Sequence, residues 1–292
     1  MLSPAQTTLL PPAPAVSRPA HGPAADLHAQ IRVEKPGPWL QFSSAMGYEW
    51  TRVDLPIPRL PEEMHGLRLL HLSDFHARSW WDPAYDDLIA RVAADPPDFI
   101  LFTGDFVDHK NDHRPGLPVA KKLFSLLKSR LGTIAILGNH DKAVSHGHAH
   151  ELNVNLIDHR RVVLPVGSAN LELIGLGGVD RIDVNLAFLH TIGPKSPNSL
   201  RVILSHYPDN IRRSQFLSPD LYLCGHTHGG QMCFPNRKPI LRHDSLPHRL
   251  CSGIHRAYGT WMIANRGFGY SSYFQFRVFC PAEVIEIRLI KA

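Results

Sequence analysis

The chain has little of what would staple it or anchor it. Its 292 residues include four cysteines, Cys224, Cys233, Cys251 and Cys280, with no C-x-x-C spacing, which argues against a disulfide framework and a thiolate zinc site. All four are expected to be reduced. No apolar run approaches the roughly 20 residues of a membrane-spanning helix, and Leu9-Leu10 is followed at once by Pro11-Pro12, so the start lacks the continuous apolar core of an export signal. Charge of one sign is not concentrated either. Thirty-one Lys plus Arg against 26 Asp plus Glu leave a net +5 with no long basic run, a weak basis for nucleic-acid binding. The expectation is a cytoplasmic protein without a transmembrane segment, with peripheral contact at a membrane left open.

Bulky hydrophobic residues are sparse at the start. Residues 1–37 are rich in Pro and Ala and bury too little to offset the entropy of ordering, so they are expected to form a disordered arm before one domain, 38–292. With 43% hydrophobic residues overall, that domain can fill a sizeable core. Tyr48 to Leu55 alternates as an edge strand does. From Leu67 a regular pattern begins, in which short apolar runs end in polar residues. Leu67–Leu72 runs into Asp74 and His76, Phe99–Thr103 into Asp105 and Asp108, and Thr133–Leu137 into Asn139, His140 and Asp141. Helices are predicted at Pro83–Ala94 and Leu117–Arg130, with a short one near His148–Asn153. Strands follow at Asn155–Leu164, Leu171–Leu176, Leu200–Leu204 and Leu221–Cys224, with closing strands between Gly259 and Leu289. Alternating strands and helices, then strands, imply an α/β (α+β) layered fold.

Functional crevices of open α/β sheets lie at the carboxyl ends of strands. Five such ends carry Asp74 with His76, Asp105, Asn139, His206, and His226 with His228. In Gly225-His-Thr-His-Gly-Gly-Gln231 the two histidines stand at i and i+2, positions that face one point if the segment is extended. Mixed carboxylate, imidazole and amide donors suit Mn, Fe or Zn. Seven are too many for one tetrahedral ion and fit two metals sharing a carboxylate, an arrangement that activates water for displacement at phosphorus.

These blocks, D-x-H, G-D-x-x-D, G-N-H-D, H and G-H-x-H, resemble the calcineurin-like metallophosphoesterases in order and in full, over about Leu67 to Gln231. The words Leu72-Ser-Asp-Phe-His76, Thr103-Gly-Asp-Phe-Val-Asp108 and Asn265-Arg-Gly-Phe-Gly269, with Arg277 and Pro281-Ala-Glu283, resemble the single-domain bacterial group of YkuE-type and YaeI-type phosphodiesterases, which includes some UDP-2,3-diacylglucosamine hydrolases. The resemblance implies a four-layer αββα sandwich and two divalent ions, Mn before Fe or Zn. Asp74, His76 and His228 would hold the first and Asn139, His206 and His226 the second, with Asp105 bridging. It further implies that His140 assists the leaving oxygen, that Asp108 orients His140, and that a metal-bound hydroxide attacks a phosphodiester or pyrophosphate in a small or nucleotide-lipid substrate. A UDP-2,3-diacylglucosamine pyrophosphatase of lipid A synthesis, a nuclease and a non-catalytic scaffold are the alternatives.

Other residues carry less. Trp80 and Trp81 could wall an apolar groove, and Trp81, Arg266 and Arg277 are candidate substrate contacts. Arg237, Lys238 and Arg242 could meet an anion but equally form a solvated loop. His146, His148 and His150 read as a solvated loop, and Asp180 as a turn residue.

Overall fold

In this computed structural model, residues 28–179, 182–240, 245–271 and 274–292 are described. Arg242 and Asp180 fall outside them, as does the arm through residue 27. The described chain begins with β1 (Gln30–Val33), β2 (Leu40–Phe42), β3 (Glu49–Ile57) and β4 (Arg68–Leu72), then α1 (Pro83–Ala94), β5 (Phe99–Phe102), α2 (Leu117–Leu126) and β6 (Gly132–Ala135). It continues through a helical turn, α3 (Lys142–Ser145), to β7 (Asn155–Leu156), β8 (Arg160–Val166), β9 (Ala169–Leu176), α4 (Ile182–Leu189) and β10 (Ser199–Ser205). The last elements are α5 (Ile211–Ser214), β11 (Leu221–Cys224), β12 (Gly253–Ala257), β13 (Thr260–Ala264), β14 (Phe276–Val278) and β15 (Glu283–Lys291). No helix among the described residues is long and apolar enough to cross a membrane.

Two sheets stack face to face. One has the order β1-β3-β15-β4-β5-β6-β7, the other β12-β13-β11-β10-β9-β8. β4, β5 and β6 are parallel, as are β9, β10, β11 and β13, so their carboxyl ends share one edge of each sheet. Because strand side chains alternate between faces, Leu69, Leu101 and Ile287 of the first sheet meet Leu173, Val202 and Leu223 of the second in the central core. The opposite faces are apolar too, and each needs a helical cover. Leu70 and Phe102 lie under Leu88 of α1 and Leu123 of α2, while Ile203 and Tyr222 lie under Leu189 of α4 and Ile211 of α5. The result is the expected αββα sandwich of four layers.

Several boundaries differ from the sequence reading, each for a tertiary reason. Gln30–Val33, expected to be part of the unordered arm, pairs antiparallel with Thr51–Asp54. β3 is therefore flanked by β1 and β15 and is not the edge. The predicted strand Asn155–Leu164 is two strands, β7 closing the first sheet and β8 opening the second, with the chain crossing between layers at His159, whose φ of 48° is left-handed. α2 ends at Leu126 rather than Arg130, because Arg130 is drawn away by bonds from its amide to Pro97 O at 2.9 Å and from its guanidinium to Asp98 at 3.3 Å. α4 was not anticipated, since Ile182–Leu189 carries hardly any polar residue to mark a face.

Ile287 lies in the middle of the central layer and is fully buried. Ile287→Ala is expected to lower the unfolding free energy by about 2–5 kcal/mol, read as a lower urea midpoint without a change in slope.

Candidate metal centre

At the shared edge, the ends of β4, β5 and β6 from one sheet meet those of β10 and β11 from the other. Asp74, His76, Asp105, His226 and His228 all have left-handed backbone, with φ between 45° and 68°. β4, β5 and β11 thus stop in sharp reversals that swing their polar side chains across the edge into one cleft. This corrects the reading of His226 and His228 as an extended pair, since the turn continues as a 3₁₀ helix over His228–Gly230. Close approach is enforced by glycine. A Cβ on Gly138 would stand 2.1 Å from Asp105 Oδ1, and one on Gly225 would stand 2.2 Å from Asp74 Oδ2.

All seven predicted donors come together, in two groups. In the first, His76 Nε2 and His228 Nε2 are 3.0 Å apart, with Asp74 Oδ1 at 4.0 Å and 3.5 Å from them. In the second, Asn139 Oδ1 lies 2.8 Å from His206 Nε2 and 2.9 Å from His226 Nδ1. Asp105 Oδ2 stands between the groups, 3.4 Å from both His76 Nε2 and His206 Nε2.

Chemistry of the donor set tests whether cations fit here. His206 Nδ1 lies 2.8 Å from the carbonyl oxygen of Thr103, which can only accept, so Nδ1 carries a proton. In the neutral ring Nε2 is then a bare lone pair facing two further acceptors, Asp105 Oδ2 and Asn139 Oδ1. Acceptors converging in a buried site fit a shared positive charge. The electrostatics point the same way. Burial pulls His206 down, but Asp105 and Asp74 outweigh it and push it up to about 9. For Asp105, burial raises the carboxyl, yet His206, His76 and His140 hold it well below the usual range. Burial, His76 and Arg277 keep His228 well below the usual imidazole value, which favours the neutral ring that a metal needs.

His140 stands at the mouth, half-buried, its ring edge-on to His76 with centroids 4.7 Å apart. Its backbone N–H donates to Asp105 Oδ1 at 2.8 Å. The role expected of the Asp108 carboxylate is corrected. The carbonyl oxygen of Asp108, not its side chain, meets His140 Nδ1 at 2.5 Å, while the carboxylate faces His76 Nδ1 at 3.4 Å and accepts from Arg78 Nε at 3.0 Å. Asp108 thus meets His140 through its carbonyl and stands beside His76 with its carboxylate.

Arg266 and Arg277 are corrected as substrate contacts, because both are buried and held by partners within the protein. Arg266 donates to Glu49 at 2.6 Å and Glu283 at 3.0 Å. Arg277 donates to the carbonyl oxygens of Gly269 and Arg266 at 3.0 Å and 2.9 Å, and its Nη2 lies 3.2 Å from His228 Nδ1. Sequence alone marks these arginines as cations near the site, but not which way they turn. Arg237 is held by Glu49 at 2.6 Å, and Lys238 is exposed. Trp81 donates to Asp86 at 3.0 Å and packs edge-on against Tyr85, so Trp80 rather than Trp81 borders the recess beside His76 with Arg78, Tyr85 and Tyr270. His148 pairs with Glu151 at 2.8 Å.

Three groups escaped the sequence reading. Arg78 has a buried Nη2 without a hydrogen-bond partner. His109 and Lys110 line a cleft of about 510 Å³ with Asn139 and His140, on the loop that Gly-Asp-x-x-Asp opens. Asp141, the last letter of Gly-Asn-His-Asp, is fully buried and accepts from the backbone N–H groups of Asp105, Phe106, Val107 and Gly138 at 2.8–3.2 Å. It ties the β5 and β6 loops together. Removing such a support costs metal affinity, so Asp141→Ala is expected to weaken Mn²⁺ binding by about 10–100-fold in a calorimetric titration, with the far-UV circular dichroism unchanged.

Several known proteins resemble this chain in sequence. "Transmembrane protein with metallophosphoesterase domain" from Bos taurus is 32% identical over 206 residues, covering 63% of this chain and 45% of that protein. "Phosphodiesterase YaeI" of Escherichia coli is 26% identical, covering 76% of this chain and 82% of the relative. "UDP-2,3-diacylglucosamine pyrophosphatase LpxG" of Chlamydia muridarum is 25% identical, covering 82% and 88%. The chain thus spans less than half of the bovine relative. The model of the family described as calcineurin-like phosphoesterase matches residues 67–230, more than half of the chain and all seven donors, and the chain belongs to that family.

Proposed function

We propose that this chain is a phosphoesterase using two divalent metals, Mn before Fe or Zn, and cleaving phosphodiester or pyrophosphate links. The observation that carries the reading is the convergence of seven buried or half-buried donors on two adjacent points with Asp105 between them. Asp74, His76 and His228 would hold the first ion and Asn139, His206 and His226 the second, with Asp105 within reach of both. A metal pair so placed supplies Lewis acidity and lowers the pKa of a coordinated water.

The residues of the chain do the rest. The Asp108 carbonyl holds the Nδ1–H of His140, so that Nε2 is left to meet the phosphoryl group and the leaving oxygen. Burial and the neighbouring His76 lower the pKa of His140, which makes its imidazolium form the stronger acid toward a leaving oxygen. His109 and Lys110 add polar and positive groups to the cleft wall, where the second substituent of a diester or pyrophosphate would lie.

One narrower reading has support of its own. The relative named as a UDP-2,3-diacylglucosamine pyrophosphatase matches 82% of this chain, and a cleft of about 510 Å³ falls in the range of small-molecule sites. A nucleotide-linked lipid is thus the more specific substrate proposal. The complete donor set and His140 speak against a non-catalytic scaffold. The action is proposed to take place in the cytoplasm, at or near a membrane surface.

Asp105→Ala and His140→Ala are each expected to leave the chain folded while turnover of bis-(p-nitrophenyl) phosphate falls by about 10²-fold or more; full activity in either would remove this mechanism. Chelation should abolish turnover and Mn²⁺ should restore it. Comparing UDP-diacylglucosamine, single-stranded DNA and p-nitrophenyl phosphate as substrates would separate the pyrophosphatase, nuclease and monoesterase readings.

A further inference from the structure

We infer that the outer face of the β2–β14 ribbon is a docking surface for an anionic lipid bilayer. The ribbon is a two-stranded antiparallel pair set apart from both large sheets, with Phe276 opposite Phe42, Arg277 opposite Gln41 and Val278 opposite Leu40. Gln41 and Arg277 are buried. By alternation, Leu40, Phe42, Phe276 and Val278 lie on the other face. Aromatic residues join across it, with ring centroids of Phe42 and Phe276 5.9 Å apart, Phe274 and Phe276 5.7 Å, and Trp39 and Phe279 5.8 Å. Trp39 is 62% exposed, Phe42 64% and Met46 51%.

Such a contiguous aromatic patch calls for a partner, and its composition favours a bilayer. Residues 36–48, 231–240, 270–271 and 274–282 build the face and its rim. They contain no Asp or Glu but do contain Arg237, Lys238 and Arg277. Arg277 points inwards and Arg237 is engaged by Glu49, while Lys238 stands exposed beside Phe234, whose amide bonds its carbonyl at 2.9 Å. Tryptophan and phenylalanine at the headgroup level, with lysine at the rim and no carboxylate within these stretches, match an anionic membrane interface. Continuity with the metal cleft is direct. Gln231, at the end of the His226–His228 turn, donates to Phe274 O at 2.6 Å and Phe276 O at 3.0 Å. Ser271, bonded to Phe274 N at 3.2 Å, lines the cleft. A bilayer on this face would thus border the cleft mouth.

The test needs no turnover and so stands apart from the proposed reaction. The full-length protein is sedimented with vesicles of phosphatidylcholine alone and of phosphatidylcholine with phosphatidylglycerol. Binding is expected to the second kind and to weaken with salt. Trp39→Ser and Phe42→Ser should each lower the partition coefficient about tenfold, whereas Leu131→Ser, at another exposed leucine, should leave it unchanged. Turnover of bis-(p-nitrophenyl) phosphate without vesicles should be the same in all three variants. No sedimentation with either vesicle, or equal partitioning of the wild type and the two aromatic variants, overturns the proposal. So does a dimer in sedimentation velocity that Trp39→Ser and Phe42→Ser dissociate without any vesicle binding, which would assign the face to a second copy of this chain.

Discussion

Left-handed backbone at five of the seven metal-donor positions is the constraint on which the rest of the structure depends. For a residue with a Cβ this conformation costs about 1–2 kcal/mol, so five of them in one loop cluster would not persist without compensation. The compensation is local and can be traced. Asp141 accepts four backbone N–H groups, and Gly138 and Gly225 let neighbouring loops pass without a Cβ in the way. Asp74 accepts the N–H of His226 at 3.1 Å. Each loop is held by its neighbour, so the reversals form as a set.

The second burden is charge. Two carboxylates and several imidazoles share a cleft largely closed to water, and each would prefer solvent unless a partner of opposite sign is supplied. Around them the chain places a shell of paired groups. Arg78 meets Asp108, and Arg266 is set between Glu49 and Glu283. This shell explains why the arginines nearest the site face inwards. Their work is to position loops and rings, and Arg277 does so for the turn that carries His228.

β14 joins these themes. Its inward residue, Arg277, braces the carbonyl groups of the Gly267–Gly269 loop and stands beside His228, while its outward residue, Phe276, belongs to the exposed aromatic face. One three-residue strand therefore links the metal cleft to the surface proposed to meet a bilayer. Trp80 lines the recess beside His76 together with Ser43 and Tyr270.

Much of this was legible in the sequence because it is local. Apolar runs of four to six residues ending in Asp, Asn or His mark buried strands that open into functional loops, and a layered α/β fold follows from alternating strands and helices, while its four-layer αββα form is what the family resemblance implies. The seven donors could be named because their residue types have few other reasons to stand at five strand ends in that order. The sequence by itself did not determine partners. His226 and His228 looked like an extended pair, but both have left-handed backbone, and only the family resemblance implied that they belong to different donor groups. Asp108 looked like a side-chain orienter, but its carbonyl lies nearer to His140. Arg266, Arg277 and Trp81 looked like substrate contacts, yet other partners took them first, Glu49 for Arg266, the Gly269 carbonyl for Arg277 and Asp86 for Trp81. Which residue turns inwards, which turns outwards and which pairs with which is settled by contacts between distant segments, and those exist only once the two sheets have closed on each other.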